Sequence, residues 1–247
     1  MKKLALVLAI ITLIFSFSGC STTKYFRANY YQPTAETLVE MAGNIQNEYY
    51  RVKTDGTTLK GTYAEGYSNG NVQTWEKNFK ITKQSLTGKL TQTITSGGKT
   101  EVIQYDYVTA DGAITQTKTT TDDTATKSIA LRDRQSLLNI SSRLYGWYKE
   151  IIIGLSNLTV PRDCIYVDDT NLKLKINVTR DLMLFLEPDL SVSECGGDVY
   201  IVFDYNYNVT CAMLCFNVIF EEKPTSIKPT TLPNIRMVVA EMYLLPL

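Results

Sequence analysis

DGTTLKGTYAEGYSNGNVQTWEKNFKITKQSLTGKLTQTITSGGKTEVIQYDYVTADG, residues 55–112, carries its own punctuation: Asp55-Gly56, Asn69-Gly70, Gly97-Gly98 and Asp111-Gly112, with a polar Lys83-Gln84-Ser85 in the remaining gap. Two-residue Asn-Gly, Asp-Gly and Gly-Gly turns favour hairpins, so a near-regular interval of about 14 residues predicts an antiparallel meander of long strands. The alternation inside each interval is one-sided. Leu59, Tyr63 and Tyr67 share a face, as do Trp75, Phe79 and Ile81, and as do Leu86, Leu90 and Ile94, while the opposite positions are mostly threonine, lysine, glutamine and glutamate. A sheet that is apolar on one face and wet on the other has to cover the apolar face, and helices elsewhere in the chain are the candidates for that role.

Working outward, Pro33-Thr34 opens a helix on the N-terminal side, with Glu36 in its first turn and Leu38, Met41, Ala42, Ile45 and Tyr49 at helical spacing. On the C-terminal side, Thr115 to Thr121 is rich in threonine and poor in large apolar groups, which fits an edge strand or an extended loop. Gln135 to Leu155 reads as a second, central helix with Leu137, Leu138, Leu144, Trp147, Tyr148, Ile151, Ile152 and Leu155 on a broad stripe, weakened at Gly146 and Gly154. Strands resume after Pro161: Leu172 to Val178 alternates, Val199 to Tyr205 alternates, Asn206-Tyr207-Asn208 makes a hairpin corner, and Thr210 to Phe220 follows. Lys223 to Pro233 holds three prolines and reads as an extended crossing before a last strand, Ile235 to Leu245. The expected fold is therefore α+β, with the N-terminal and central helices packed on a curved antiparallel sheet of long strands, open like a half-barrel.

The N-terminus supplies an address. Met1-Lys2-Lys3, an apolar run from Leu4 to Phe17 and Ser18-Gly19-Cys20 form a charged region, a short apolar region and small residues before a cut. The run is shorter than the roughly 20 residues a bilayer-spanning helix needs. This stretch resembles the signal of bacterial lipoprotein precursors. The resemblance implies cleavage after Gly19 and a diacylglycerol thioether on Cys20. Phe17 departs from the aliphatic residue usual at its position and points to a relaxed processing site. The expected organisation is residues 1–19 as signal peptide, 20–33 as lipidated N-terminus and tether, and 34–247 as one α+β domain. The localisation that follows is the extracytoplasmic side of a bacterial cell envelope, with the membrane as partner through the lipid on Cys20. The tether, with Lys24-Tyr25-Phe26-Arg27 and Tyr30-Tyr31, has the length to lift the domain about 40 Å from the lipid when fully extended.

Composition excludes several functions. Lysine plus arginine equals aspartate plus glutamate at 25 each, which leaves no basic footprint for nucleic acid. The chain contains no histidine, removing the usual general base and the third member of Ser-His-Asp and Cys-His arrangements. Carboxylate-only chemistry needs two acids on one substrate, yet Asp122-Asp123, Asp168-Asp169 and Glu221-Glu222 are neighbours that point to opposite faces of a strand, and they read as solvated turn residues. No catalytic residue, metal ligand or cofactor is expected, and the chain is read as a non-enzyme. Cys164, Cys195, Cys211 and Cys215 are candidates for disulfides in an oxidising compartment. Cys211 and Cys215 are excluded as a pair because on one strand they sit about 13 Å apart.

The order helix, meander, helix, strands also resembles, in topology alone, the LolA-like half-barrel carriers of bacterial envelopes. That resemblance implies a cavity between sheet and helices for an acyl chain or another apolar ligand, with Leu38, Met41, Ile45, Trp75, Phe79, Trp147 and Ile151 as its candidate lining. The competing expectation is a structural or interaction lipoprotein with a filled core that meets another envelope protein.

Overall fold

The computed structural model describes residues 23–45, 55–133, 142–168, 170, 172–221 and 235–247. Cys20, Tyr49, the segment 134–141 and the whole of the proline-rich crossing lie outside the described residues. Eleven strands form one antiparallel sheet: β1 (Thr57–Tyr67), β2 (Val72–Ile81), β3 (Leu86–Ser96), β4 (Lys99–Ala110), β5 (Ala113–Thr119), β6 (Thr124–Ala130), β7 (Ile165–Asp168), β8 (Lys173–Asn177), β9 (Val192–Phe203), β10 (Val209–Phe220) and β11 (Ile235–Pro246). Among the described residues three α-helices accompany it, α1 (Ala35–Asn44), α2 (Ser142–Ser156) and α3 (Arg180–Leu186). The chain is α+β and mostly β. Strand order is β6-β5-β4-β3-β2-β1-β11-β10-β9-β8-β7, so the N-terminal meander and the C-terminal strands are joined by β11 adding to β1.

The register explains why one face is apolar. Following Cα partners across the sheet, Val167, Leu174, Ile201, Ala212, Leu244, Leu59, Phe79, Gly88, Tyr107 and Gln116 form one row. Because side chains alternate with period two, each strand places its even-spaced apolar set on this same side. Leu59, Tyr63, Phe79, Ile81 and Leu86 are buried there, as the alternation in residues 55–112 requires. The row also changes character, from aliphatic at β7–β10 to Tyr107 and Gln116 at β4–β5.

At Gly197, φ is +108° and an added Cβ would fall within van der Waals overlap of the Cys215 carbonyl and of Phe216, its cross-strand partner. Gly88 stands in the same relation to Phe79, at φ +142°. In both places the backbone of the neighbouring strand occupies the space over the glycine, joined at Gly88 by the edge of the Phe79 ring, a close approach that only glycine tolerates.

Local capping fixes the helix starts. Thr34, in extended conformation, accepts from the Thr37 amide at 3.2 Å, so α1 begins at Ala35 with Glu36 in its first turn. Thr179 accepts from the Leu182 amide in the same way and starts α3, a short helix that the sequence reading passed over. The α2 ring of Trp147 packs on Phe216 of β10, at 5.5 Å between centroids, and its indole N–H donates to Glu187 at the end of α3. These contacts tie α2 to β10 and to the end of α3, and buried residues of all three helices belong to one hydrophobic cluster with the apolar face of the sheet.

Three further expectations change. Ala113–Thr119 is an inner strand, because a second threonine-rich run, Thr124–Ala130, pairs with it and forms the edge. The tether is not free from Thr23 onward. Tyr31 exchanges two backbone hydrogen bonds with Val167 on edge strand β7, and Phe26 is buried against Tyr200 of β9, so this stretch is fastened to the face opposite the helices. Finally, Asp168 is buried rather than solvated, and accepts the Asn29 amide that the fastened segment brings to it.

Candidate functional site: an apolar crevice at α1 and α2

The seven predicted lining residues divide among three places. Leu38, Met41 and Ile45 line one crevice of about 180 Å³ together with Leu155, Val160 and Ile165. Its walls are α1, the C-terminal end of α2 and the stretch leading into β7. The α1 stripe falls on one side because positions three and four apart share a helix face. Val39 and Leu158 contribute to the same crevice yet remain 58% and 51% exposed, so an apolar rim meets solvent there. Arg162 supplies a cation at the margin, where its guanidinium donates to the Pro33 carbonyl at 3.2 Å. Gly154 narrows one wall, with Phe185, Val160 and Thr159 all close to the position of a missing Cβ.

Trp147 and Ile151 belong elsewhere. They border a gap of about 10 Å³ shared with Leu182, Met183 and Phe216, which is no more than a water-sized imperfection in a packed core. Trp75 and Phe79 stand on β2, the first packed on Tyr63 at 5.5 Å and the second edge-on to Tyr107 at 5.3 Å. Strand alternation placed Trp75 and Phe79, and helical spacing the other five, on apolar sides, but neither pattern carries information on which helix covers which strand.

Sequence reasoning missed the polar groups inside the apolar face. Glu65 is buried on β1 and accepts from the hydroxyls of Tyr63 and Tyr67, two residues to either side on the same strand face. The order of Glu65 and Tyr67 recurs in Asp198 with Tyr200 and Glu241 with Tyr243, so an acid–x–Tyr pattern on a strand was a readable signal. Lys77 of β2 is buried and faces Gly61 across the pair, and loss of hydration pushes its ammonium down to about 7. Gln116 donates to the Tyr107 hydroxyl, whose own pKa is raised chiefly by burial.

On the opposite face, an open cleft of about 620 Å³ lies between the fastened N-terminal segment and the sheet, bordered by Arg27, Tyr30, Asp168, Tyr200 and Met213. Burial, reinforced by Asp168, pushes the Tyr30 hydroxyl up to about 12, and burial raises Tyr200 further. Lys175 neutralises Asp198 at 3.5 Å and lies over the Tyr166 and Tyr200 rings.

The four cysteines are free thiols. Cys211 and Cys215 share the face opposite the helices, whereas Cys195 pairs in register with core residue Val218 and therefore lies on the other side of the sheet. Cys164 donates to the Pro161 carbonyl within its own turn. Burial drives Cys164 and Cys211 up to about 11, so these are poor nucleophiles. Among the described residues no cluster of three His, Cys, Asp or Glu side chains is arranged to hold a metal, and no helix is long and apolar enough to cross a membrane.

No protein-family model matches the chain, and no curated protein matches it.

Proposed function

We propose that this protein is a membrane-anchored extracytoplasmic lipoprotein, held by lipid on Cys20, whose open half-barrel of sheet and helices binds an apolar chain at the α1–α2 crevice. The observation that carries the reading is the crevice itself: Leu38, Met41, Ile45, Leu155 and Val160 line it, and Val39 and Leu158 stay exposed at its rim. Exposed aliphatic side chains gathered around an apolar hollow favour an apolar occupant by about 25 cal/mol per Å² covered. At about 180 Å³ the crevice is below the usual 300–1,000 Å³ of small-molecule sites, so the ligand class is one that inserts a single acyl segment rather than a whole lipid. Binding rather than turnover is the activity proposed, since the crevice is lined almost wholly by aliphatic side chains.

The second reading is a structural or interaction lipoprotein of the envelope that contacts another envelope protein. The near-absence of space around Trp147 and Ile151 favours it. Native mass spectrometry of the mature chain, purified gently and compared with a denatured sample, separates the two. An adduct of lipid mass that is lost on denaturation, and weakened by Met41→Asp, supports the crevice. A bare compact protein from lipid-replete cells overturns it and leaves the interaction reading.

A further inference from the structure

We propose that the end of the sheet formed by the β9–β10 hairpin and the end of β11 rests on the bilayer surface, with Tyr205 and Leu247 seated among the lipid headgroups. The proposal rests on Cys20 carrying lipid, and it adds an orientation that the anchor alone does not give.

Chain length sets the first constraint. Cys20 precedes Thr23 by three residues, which span at most about 10 Å when extended. From Thr23 the chain is committed to the domain: Phe26 packs on Tyr200 at 5.8 Å, the Arg27 carbonyl accepts from Lys173 at 2.8 Å, and Tyr31 pairs with Val167. Tyr31 runs antiparallel to β7, so the earlier residues of the segment lie toward the end where β7 turns into β8. Lys173 pairs with Val202, just ahead of the β9–β10 turn, which places that turn at the same end. Leu244 pairs with Ala212, so Leu247 reaches this end as well. A lipid attached at Cys20 therefore emerges beside these two features, not beside α3 or the β3–β4 turn.

The chemistry of that end suits a headgroup layer. Tyr205 is 94% exposed, the most exposed large hydrophobic side chain among the described residues, and Leu247 is 56% exposed. The Asp204 carboxylate accepts from the Asn206 and Asn208 amides, so the turn that presents Tyr205 is rigid. Lys24 and Arg27 are exposed on the leading segment. Tyrosine concentrates at membrane interfaces, where its ring meets the acyl boundary and its hydroxyl stays wet, and basic residues there meet lipid phosphates. The α1–α2 crevice is built at the opposite end of β7, around Ile165, and is left facing away from the anchoring membrane.

Hydroxyl-radical footprinting tests the orientation on mature protein reconstituted into phosphatidylethanolamine–phosphatidylglycerol vesicles, with Cys20→Ala protein and the same vesicles as reference. Intact mass first reports whether Cys20 bears lipid. The expected result is several-fold loss of oxidation at Tyr205 and Leu247 in the lipidated protein, while Leu158 and Leu184 react as in the reference. Tyr205→Asp, at a position too exposed to disturb folding, is expected to restore reactivity at Leu247. Lipidated protein whose Tyr205 reacts as in the reference, or whose Leu158 and Leu184 are protected instead, overturns the orientation while the anchor stands. Absence of lipid mass on Cys20 overturns the anchor and this proposal with it.

Discussion

Lys77 is a cation held in an environment at odds with its chemistry. Burial lowers its ammonium from an ordinary 10.5 to about 7. Between those values the unfolded chain binds a proton that the folded chain does not, so Lys77 makes stability rise as pH climbs from about 7 toward 10.5. Cys164 and Cys211 act in the opposite sense: raised from 9.0 to about 11, they contribute stability that is present below 9.0 and lost as pH climbs through 11. Urea titrations are therefore expected to show stability increasing from about pH 7 to 9 and declining above about pH 9, where the two thiols outweigh the one lysine. Lys77→Met is expected to stabilise the protein by a few kcal/mol near pH 6 and to flatten the rise, since each tenfold change in proton affinity is worth about 1.4 kcal/mol. An unchanged pH profile in that variant would show that Lys77 is hydrated in solution. Glu65 is the companion case, because Glu65→Gln removes the charge from two tyrosine hydrogen bonds at a buried position. A loss of about 1–3 kcal/mol is expected, read as a shift in the urea midpoint.

Among the elements, β3 and β9 depend on glycines that local propensity disfavours. Gly88→Ala and Gly197→Ala each force a Cβ onto a neighbouring carbonyl in a positive-φ conformation, and each is expected to cost about 3 kcal/mol or more, seen as a lowered Tm. Gly98→Ala, in an exposed turn with open space around it, isolates the conformational part of that cost and should be the milder change. Thr34→Ala removes the cap of α1 and is expected to cost about 1 kcal/mol by the same assay. The meander was legible at this scale because turn chemistry and alternation both act between near neighbours. Three elements escaped. β7 is four residues long, α3 is seven, and β6 holds no large apolar residue besides Ile129, so none generates enough periodicity to stand out. The Thr179 cap, with Asp181 in the first turn, was the one local sign of α3.

The whole molecule joins two runs of strands through β1 and β11, so its apolar face is continuous from β7 to β5. Alkylation of the denatured, unreduced chain is expected to modify Cys164, Cys195, Cys211 and Cys215 together, because the sheet lies between Cys195 and the pair on β10. A pair that escapes alkylation, leaving the chain short of two alkyl groups and two hydrogen atoms lighter than two unmodified thiols would make it, would show a bridge and a different disposition of these strands. What the sequence by itself determined is what depends on short-range physics: hairpin turns from Asn-Gly and Gly-Gly, one apolar side per strand from period-two alternation, the start of α1 from Pro33-Thr34, and the exclusion of histidine chemistry. What only the tertiary structure decided is which faces meet. Strand alternation marked Trp75 and helical spacing marked Trp147 as inward, yet one packs on Tyr63 and the other on Phe216, and Leu38 lines a separate crevice. Burial is favoured by any apolar neighbour, so the pattern is silent about partners. Partner choice comes from long-range register and from the close approaches that glycine permits, and both exist only once the eleven strands are assembled.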